Sequence, residues 1–209
     1  MVETFETSGV RGFLHRPESP NGDAVVLTHG AGSSANAPLL MALAGTFAGA
    51  GYLVLRYDLP FRYAATKGPL NAAAQARDRE GVARAIEAVR TMARGKIIAG
   101  GHSYGGRQTA MAAAEDPGMA AGLLLLSYPL HPPDKPQQLR TTFFPQLRTP
   151  ALFVHGTRDP FGTLEELREA LRMVPAKTGL FAVEKAGHDL KAAGRMGEAI
   201  LQRMVFFVG

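Results

Sequence analysis

A chain of 209 residues that is 46% hydrophobic, 20% charged and free of cysteine has the composition of one folding unit around a buried core, since domains commonly run about 100 to 200 residues. The lack of cysteine excludes disulfides, thiolate nucleophiles and cysteine-ligated zinc or iron–sulfur centres, and suits a reducing compartment. Twenty-three basic against eighteen acidic residues leave a net charge of +5, yet the arginines are scattered from Arg11 to Arg203 and no basic run is interleaved with aromatics, so nucleic acid is not an expected partner.

The opening Met1-Val2-Glu3-Thr4-Phe5-Glu6 has neither a basic leader nor an apolar run, and Leu123-Leu124-Leu125-Leu126 is far too short to span a bilayer. A cytoplasmic protein with no membrane association, folded as a single domain over 1–209, is expected. Phe5 to Arg16 reads as a hairpin turning at Ser8-Gly9, and Ala24 to Thr28 as the first buried strand. A Gly-rich loop then leads into a helix announced by Pro38, with Leu40, Leu43 and Phe47 on one face and Gly51 past its end. Tyr52 to Leu55 is the next strand. A longer helix follows, with Val82, Ile86 and Val89 at helical spacing and Gly95 as its stop; its stretch Arg77-Asp78-Arg79-Glu80 carries mixed signs.

Lys96 to Gly100 is a further buried strand, followed by an Ala-rich helix, the strand Leu123 to Leu126, a proline-rich excursion from Tyr128 to Pro150, and the strand Ala151 to Val154. Thr163 and Glu166 predict a capping box for a helix whose Leu164, Leu167, Leu171 and Val174 share a face. The strand Leu180 to Val183 and a terminal helix with Met196, Ile200, Met204 and Phe207 inward complete the chain. Short apolar runs alternating with helical segments specify an α/β protein: a mostly parallel sheet with helices on both faces.

Parallel strands place their functional loops at their carboxyl ends, so the polar residues just after each strand carry the chemistry. Gly101-His102-Ser103-Tyr104-Gly105 is a G-x-S-x-G between a buried strand and a helix, the context in which a sharp turn lifts a serine hydroxyl clear of the sheet. A serine at its ordinary pKa is a poor nucleophile and needs a base, which in turn needs an acid to fix its tautomer. His188, in Ala186-Gly187-His188-Asp189 past the last strand, is the candidate base. Asp159, in Thr157-Arg158-Asp159-Pro160, is the candidate acid, and Asp189 is disfavoured as the immediate neighbour of His188. His29 and His155 each end a strand before Gly and are expected to orient loops; His102 faces away from Ser103. The backbone N–H groups of Ala31 and Tyr104 are the candidate oxyanion donors. The Gly-rich loop at 29–32 lacks the spacing of a phosphate or dinucleotide site, and neither metal nor cofactor is called for.

Taken together, His29-Gly30-Ala31-Gly32, Gly101-His102-Ser103-Tyr104-Gly105-Gly106, Gly156-Thr157-Arg158-Asp159 and Gly187-His188-Asp189 resemble the α/β-hydrolase superfamily across essentially the whole chain. Within it, Arg56 to Phe61, Gly105-Gly106-Arg107 and Ser127 to Pro133 look like a small subgroup related to dienelactone hydrolases and to testis-expressed and chromatin-complex hydrolase-like proteins. The resemblance implies an α/β-hydrolase fold and a Ser, Asp, His order of catalytic residues. Dienelactone hydrolases proper use a cysteine nucleophile, which this chain lacks.

The function expected is hydrolysis of a small ester, thioester or related acyl substrate through an acyl-enzyme on Ser103. Two other readings compete: a catalytically idle hydrolase fold serving as an interaction module, and a peptidase. Between Tyr128 and Pro150 the prolines at 129, 132, 133, 136 and 145 argue for a loop rather than a helical lid, with Phe61, Tyr128, His131, Phe143 and Phe144 as candidate walls of an open substrate site. Arg107, one turn past Ser103, is expected to form an ion pair beneath the serine turn with the Arg56–Asp58 end of the preceding strand.

Overall fold

The computed structural model describes residues 1–7, 9–63, 71–191 and 193–208. Strands β1 (Val2–Thr7), β2 (Val10–His15), β3 (Ala24–Thr28), β4 (Leu53–Asp58), β5 (Ile97–His102), β6 (Gly122–Leu126), β7 (Ala151–Gly156) and β8 (Thr178–Val183) form one sheet in the order β1-β2-β4-β3-β5-β6-β7-β8. β2 runs antiparallel to β1 and β4, and every other pairing is parallel. The helices are α1 (Pro38–Gly49), α2 (Pro60–Tyr63), α3 (Ala72–Arg90), α4 (Tyr104–Glu115), α5 (Leu164–Leu171) and α6 (Gly197–Val208).

Alternation along the strands divides the core in two. Ala24, Val26, Ala99 and Leu125 point to one face, where Val82, Ile86 and Val89 of α3, Ala110 and Ala113 of α4 and Leu167 of α5 cover them. Val25, Leu27, Ile98 and Leu124 point the other way, under Leu40, Leu43 and Phe47 of α1 and Ile200 and Met204 of α6. Both faces of the central strands are therefore apolar, which is why they read as unbroken hydrophobic runs.

Differences from the sequence expectations are local. The hairpin starts at Val2 rather than Phe5, and the expected turn residue Ser8 lies outside the described residues. β4 runs on to Asp58, because Arg56, Tyr57 and Asp58, though polar, still pair with β2, and Arg56 and Tyr57 also with β3. α3 stops at Arg90, before Gly95, whose N–H instead reaches the Gly22 carbonyl at 2.9 Å. The capping box at Thr163 and Glu166 forms as expected. Between Tyr128 and Pro150 the only helical piece is the 3₁₀ turn Phe144–Gln146, so no helical lid covers the carboxyl edge of β6 and β7.

The chain leaves β3 for β4 on one side and returns, through α3, to β5 on the other. The strand order thus reverses at β3, and the loops after β3 and β5 diverge there, the place where open α/β sheets build their sites. The register Thr28↔Gly101 brings His29-Gly30-Ala31 beside His102-Ser103.

Candidate active site

Ser103 sits between β5 and α4 with φ 51° and ψ −117°, a conformation that L residues seldom adopt. Two features hold the turn there. The Ser103 N–H donates to the Leu126 carbonyl at 2.8 Å, and its carbonyl accepts from Arg107 N–H at 2.9 Å. The flanking glycines are sterically required: a Cβ on Gly101 would stand 2.6 Å from the Thr28 carbonyl oxygen, and one on Gly105 2.4 Å from that of His29. This close passage of backbone is the reason the motif needs glycine at both ends.

His188 arrives from the loop after β8. Its Nε2 lies 2.7 Å from Ser103 Oγ, and its Nδ1 lies 2.8 and 2.9 Å from the two carboxylate oxygens of Asp159. With an ionised carboxylate on Nδ1, that nitrogen carries the proton and Nε2 is free to accept from the serine hydroxyl. The Asp159 side chain is fully buried. Burial alone would raise its pKa, but hydrogen bonds from His188 and from Phe161 N–H, with the field of the neighbouring imidazoles, hold it below the usual carboxylate value.

The loops bearing Asp159 and His188 are tied together. Arg158 N–H donates to the Ala186 carbonyl and Lys185 N–H to Thr157 Oγ1, each at 2.9 Å. His155 is buried, with a lowered pKa for that reason, and its Nε2 donates to the Gly162 carbonyl at 2.8 Å behind Asp159. His102 Nε2 lies 2.7 Å from the His188 carbonyl, and burial keeps that imidazole neutral, so it donates. His29 donates from Nδ1 to the Gly30 carbonyl at 2.8 Å and accepts Leu59 N–H on Nε2 at 3.1 Å.

A cavity of about 710 Å³ opens over Ser103. Ala31 and Tyr104 line it, so both candidate donor groups share its walls with Ser103 and His188. Tyr104 N–H is the first of α4 and has no carbonyl within the helix to meet.

The five expected substrate walls are a correction. Phe61, Tyr128, His131, Phe143 and Phe144 do not line this cavity. Tyr128 and Phe144 have no exposed surface and pack with Phe153 inside the core, while Phe143 packs edge-on against Phe144. Phe61 is buried against His29 and Tyr104, and His131 is buried with its Nε2 3.5 Å from Glu166. The walls are instead Gln75, Arg107, Pro129, Arg140 and Phe161, with the 30–33 loop and His102. Phe161 stacks on the His188 ring, centroids 4.1 Å apart, and its position two residues past Asp159 was the signal available for it.

The expected ion pair of Arg107 is also corrected. Arg107 donates to Gln75 Oε1 at 3.3 Å, because its helix face points into the cavity rather than under the turn. Arg56 and Asp58 hold the loop after β3: Arg56 bonds the Ala35 carbonyl and Asp58 accepts Ala35 N–H at 2.6 Å. One residue has a role that the sequence motifs do not single out. Asp78 is wholly buried on α3, accepting the Tyr104 hydroxyl at 2.6 Å and Phe61 N–H at 3.0 Å. Its spacing of four, eight and eleven from Val82, Ile86 and Val89 places it on the apolar face and would have revealed it.

A serine on a strand-to-helix turn at the reversal point of an eight-stranded, mostly parallel sheet defines the α/β-hydrolase architecture. The chain belongs to the alpha/beta hydrolase domain family, whose model it matches over residues 21–205. It is similar to an α/β serine hydrolase homologue from Coxiella burnetii, at 16% identity over 96% of both chains with a TM-score of 0.79. A dienelactone hydrolase from Anabaena variabilis matches at 20% identity over 97% of this chain and 98% of that one, TM-score 0.73. A Xanthomonas campestris protein described as an α/β serine hydrolase without lid matches at 16% identity, covering 98% and 94%, TM-score 0.72. At these identities the likeness is one of fold. No helix among the described residues is long and apolar enough to cross a membrane.

Proposed function

We propose that this protein is a serine hydrolase that cleaves small ester, thioester or related acyl substrates by way of an acyl-enzyme. The observation that carries the reading is the unbroken chain from Ser103 Oγ to His188 Nε2 and from His188 Nδ1 to the buried Asp159 carboxylate. Ser103 attacks the carbonyl carbon as His188 takes its proton; the imidazolium is stabilised by Asp159 and returns the proton to the leaving oxygen or sulfur. The N–H groups of Ala31 and Tyr104 receive the oxyanion. Water, deprotonated by the same imidazole, then releases the acid and restores Ser103.

The test is covalent labelling with a fluorophosphonate, followed by mass spectrometry of the digested protein. A phosphonyl adduct on Ser103 is the expected result. Folded protein that takes no label would overturn the reading and leave a hydrolase fold without this chemistry.

A further inference from the structure

The cavity over Ser103 holds two guanidinium groups that no carboxylate among the described residues pairs with. Arg107 enters from α4 and Arg140 from the loop between β6 and β7, and both line the walls. All eighteen Asp and Glu side chains lie among the described residues. The arginines that pair with them there are 11, 16, 79, 84, 90 and 172. Arg107 keeps a buried Nε–H with no hydrogen-bond partner, and its contact to Gln75 is to a neutral amide oxygen. Among the described residues the Arg140 guanidinium donates to the Pro129 carbonyl, at a long 3.4 Å, while the Arg140 carbonyl is held by the buried Tyr128 hydroxyl.

Two part-buried cations facing one cavity repel each other and are incompletely solvated. Burial, and then the charge of Arg107, lower the Arg140 pKa, as expected for such a pair. An anion between them would relieve both costs, and a carboxylate is the planar, two-oxygen partner that a guanidinium fork grips with parallel hydrogen bonds. Along α4 the four residues from Ser103 to Arg107 advance about 6 Å, close to the separation of the two carboxyl carbons in a dicarboxylic acid of about five or six carbons. His188 has to face the leaving group to protonate it, and the guanidiniums contact Gln75 and Pro129 rather than His188, so they serve the acyl half.

We propose that the substrate carries a second, ionised carboxyl group on its acyl part, held by Arg107 and Arg140 while Ser103 attacks the ester or thioester carbonyl. This rests on the serine-hydrolase reading. The held carboxylate is unchanged in the reaction: the Ser103 Oγ–carbon bond forms, the carbon–leaving-group bond breaks, and water later releases the dicarboxylic acid.

The experiment compares monoethyl glutarate with ethyl valerate, acyl chains of equal length that differ in the terminal charge, by titrating released acid at pH 7.5. Wild type should favour the half-ester in kcat/KM by about tenfold or more, the scale of a lost charged hydrogen bond, and the preference should shrink as salt is raised. Arg107→Met and Arg140→Met should each bring the ratio of the two substrates down by a similar factor, and Arg107→Lys should recover part of it. Equal or better turnover of the neutral ester by wild type would overturn the proposal, even if the variants fail to fold. Loss of turnover on both esters, with no fluorophosphonate label on Ser103, would instead remove the serine-hydrolase reading beneath it.

Discussion

Ser103, His188 and Asp159 act as one unit in the proposed chemistry, so their substitutions should not add. Ser103→Ala and His188→Ala should each lower kcat on an accepted ester by about 10⁴- to 10⁶-fold, with Asp159→Asn somewhat milder. The double variant Ser103→Ala, His188→Ala should fall little below either single one; a loss near the product of the two would break the partnership. That these three side chains would lie together was legible because each follows a strand in sequence, and an α/β sheet gathers such loops along one edge. The substrate walls were not legible, for a physical reason. Aromatic residues near a site fill the core as readily as they line a cavity, and hydrophobicity alone does not distinguish Tyr128, buried on Phe144 and Phe153, from Phe161, stacked on His188.

At the scale of elements, two buried charged clusters hold the backbone that the serine depends on. Asp78 of α3 grips the Tyr104 hydroxyl at the start of α4 and Phe61 N–H after β4. Asp78→Ala would leave both donors unsatisfied in the core, so thermal or denaturant unfolding should show a loss of about 2 to 4 kcal/mol. A loss under about 0.5 kcal/mol would show that neither bond matters. A helix read for its charges looks solvated at 77–80; the same helix read for its period puts Asp78 inside.

The second cluster fastens the loop after β3. Arg56 donates from Nε to His15 Nε2 at 2.8 Å while also holding the Ala35 carbonyl. Burial first, then the Arg56 and N-terminal charges, lower the His15 pKa from 6.5 to about 4. The native state therefore favours neutral His15. Its contribution to stability is fully present above pH 6.5 and is lost as pH falls through about 4, because the unfolded chain takes up the proton first. The melting temperature should drop over that window by roughly 3 to 10 °C from this group, and His15→Gln, which keeps an acceptor for Arg56 but does not titrate, should flatten that part of the slope. An unchanged slope in the variant would discharge His15 from the account. The end of β4 is polar, and the pairing of β2 and β3 on either side is what makes it strand.

For the whole molecule, the property with most bearing on function is what lies over the carboxyl edge of the sheet. The interval after β6 closes down on the core through Tyr128, Leu130, Phe144 and Leu147, all without exposed surface, and spends its apolar residues there instead of on a helical cap. The prolines announced this in the sequence, since they deny a helix its hydrogen bonds. The resulting cavity, about 710 Å³, has Phe161, Pro129 and Tyr104 as its apolar walls but polar Gln75, Arg107 and Arg140 beyond them. Each methylene added to a neutral acyl chain gains at most about 0.8 kcal/mol while it meets apolar wall, and gains nothing once it reaches the arginines. Among neutral p-nitrophenyl esters, kcat/KM should therefore peak at short chains of about two to six carbons and fall beyond them, since burying guanidiniums under hydrocarbon costs more than the contact returns. Without a lid to displace, the rate should also show no jump as the ester passes its solubility limit and forms micelles. A rate that climbs through twelve carbons, or rises sharply at the micellar transition, would mean that the apolar surface extends past the arginines, and would refute the short open site while leaving the assignment of Ser103, His188 and Asp159 untouched.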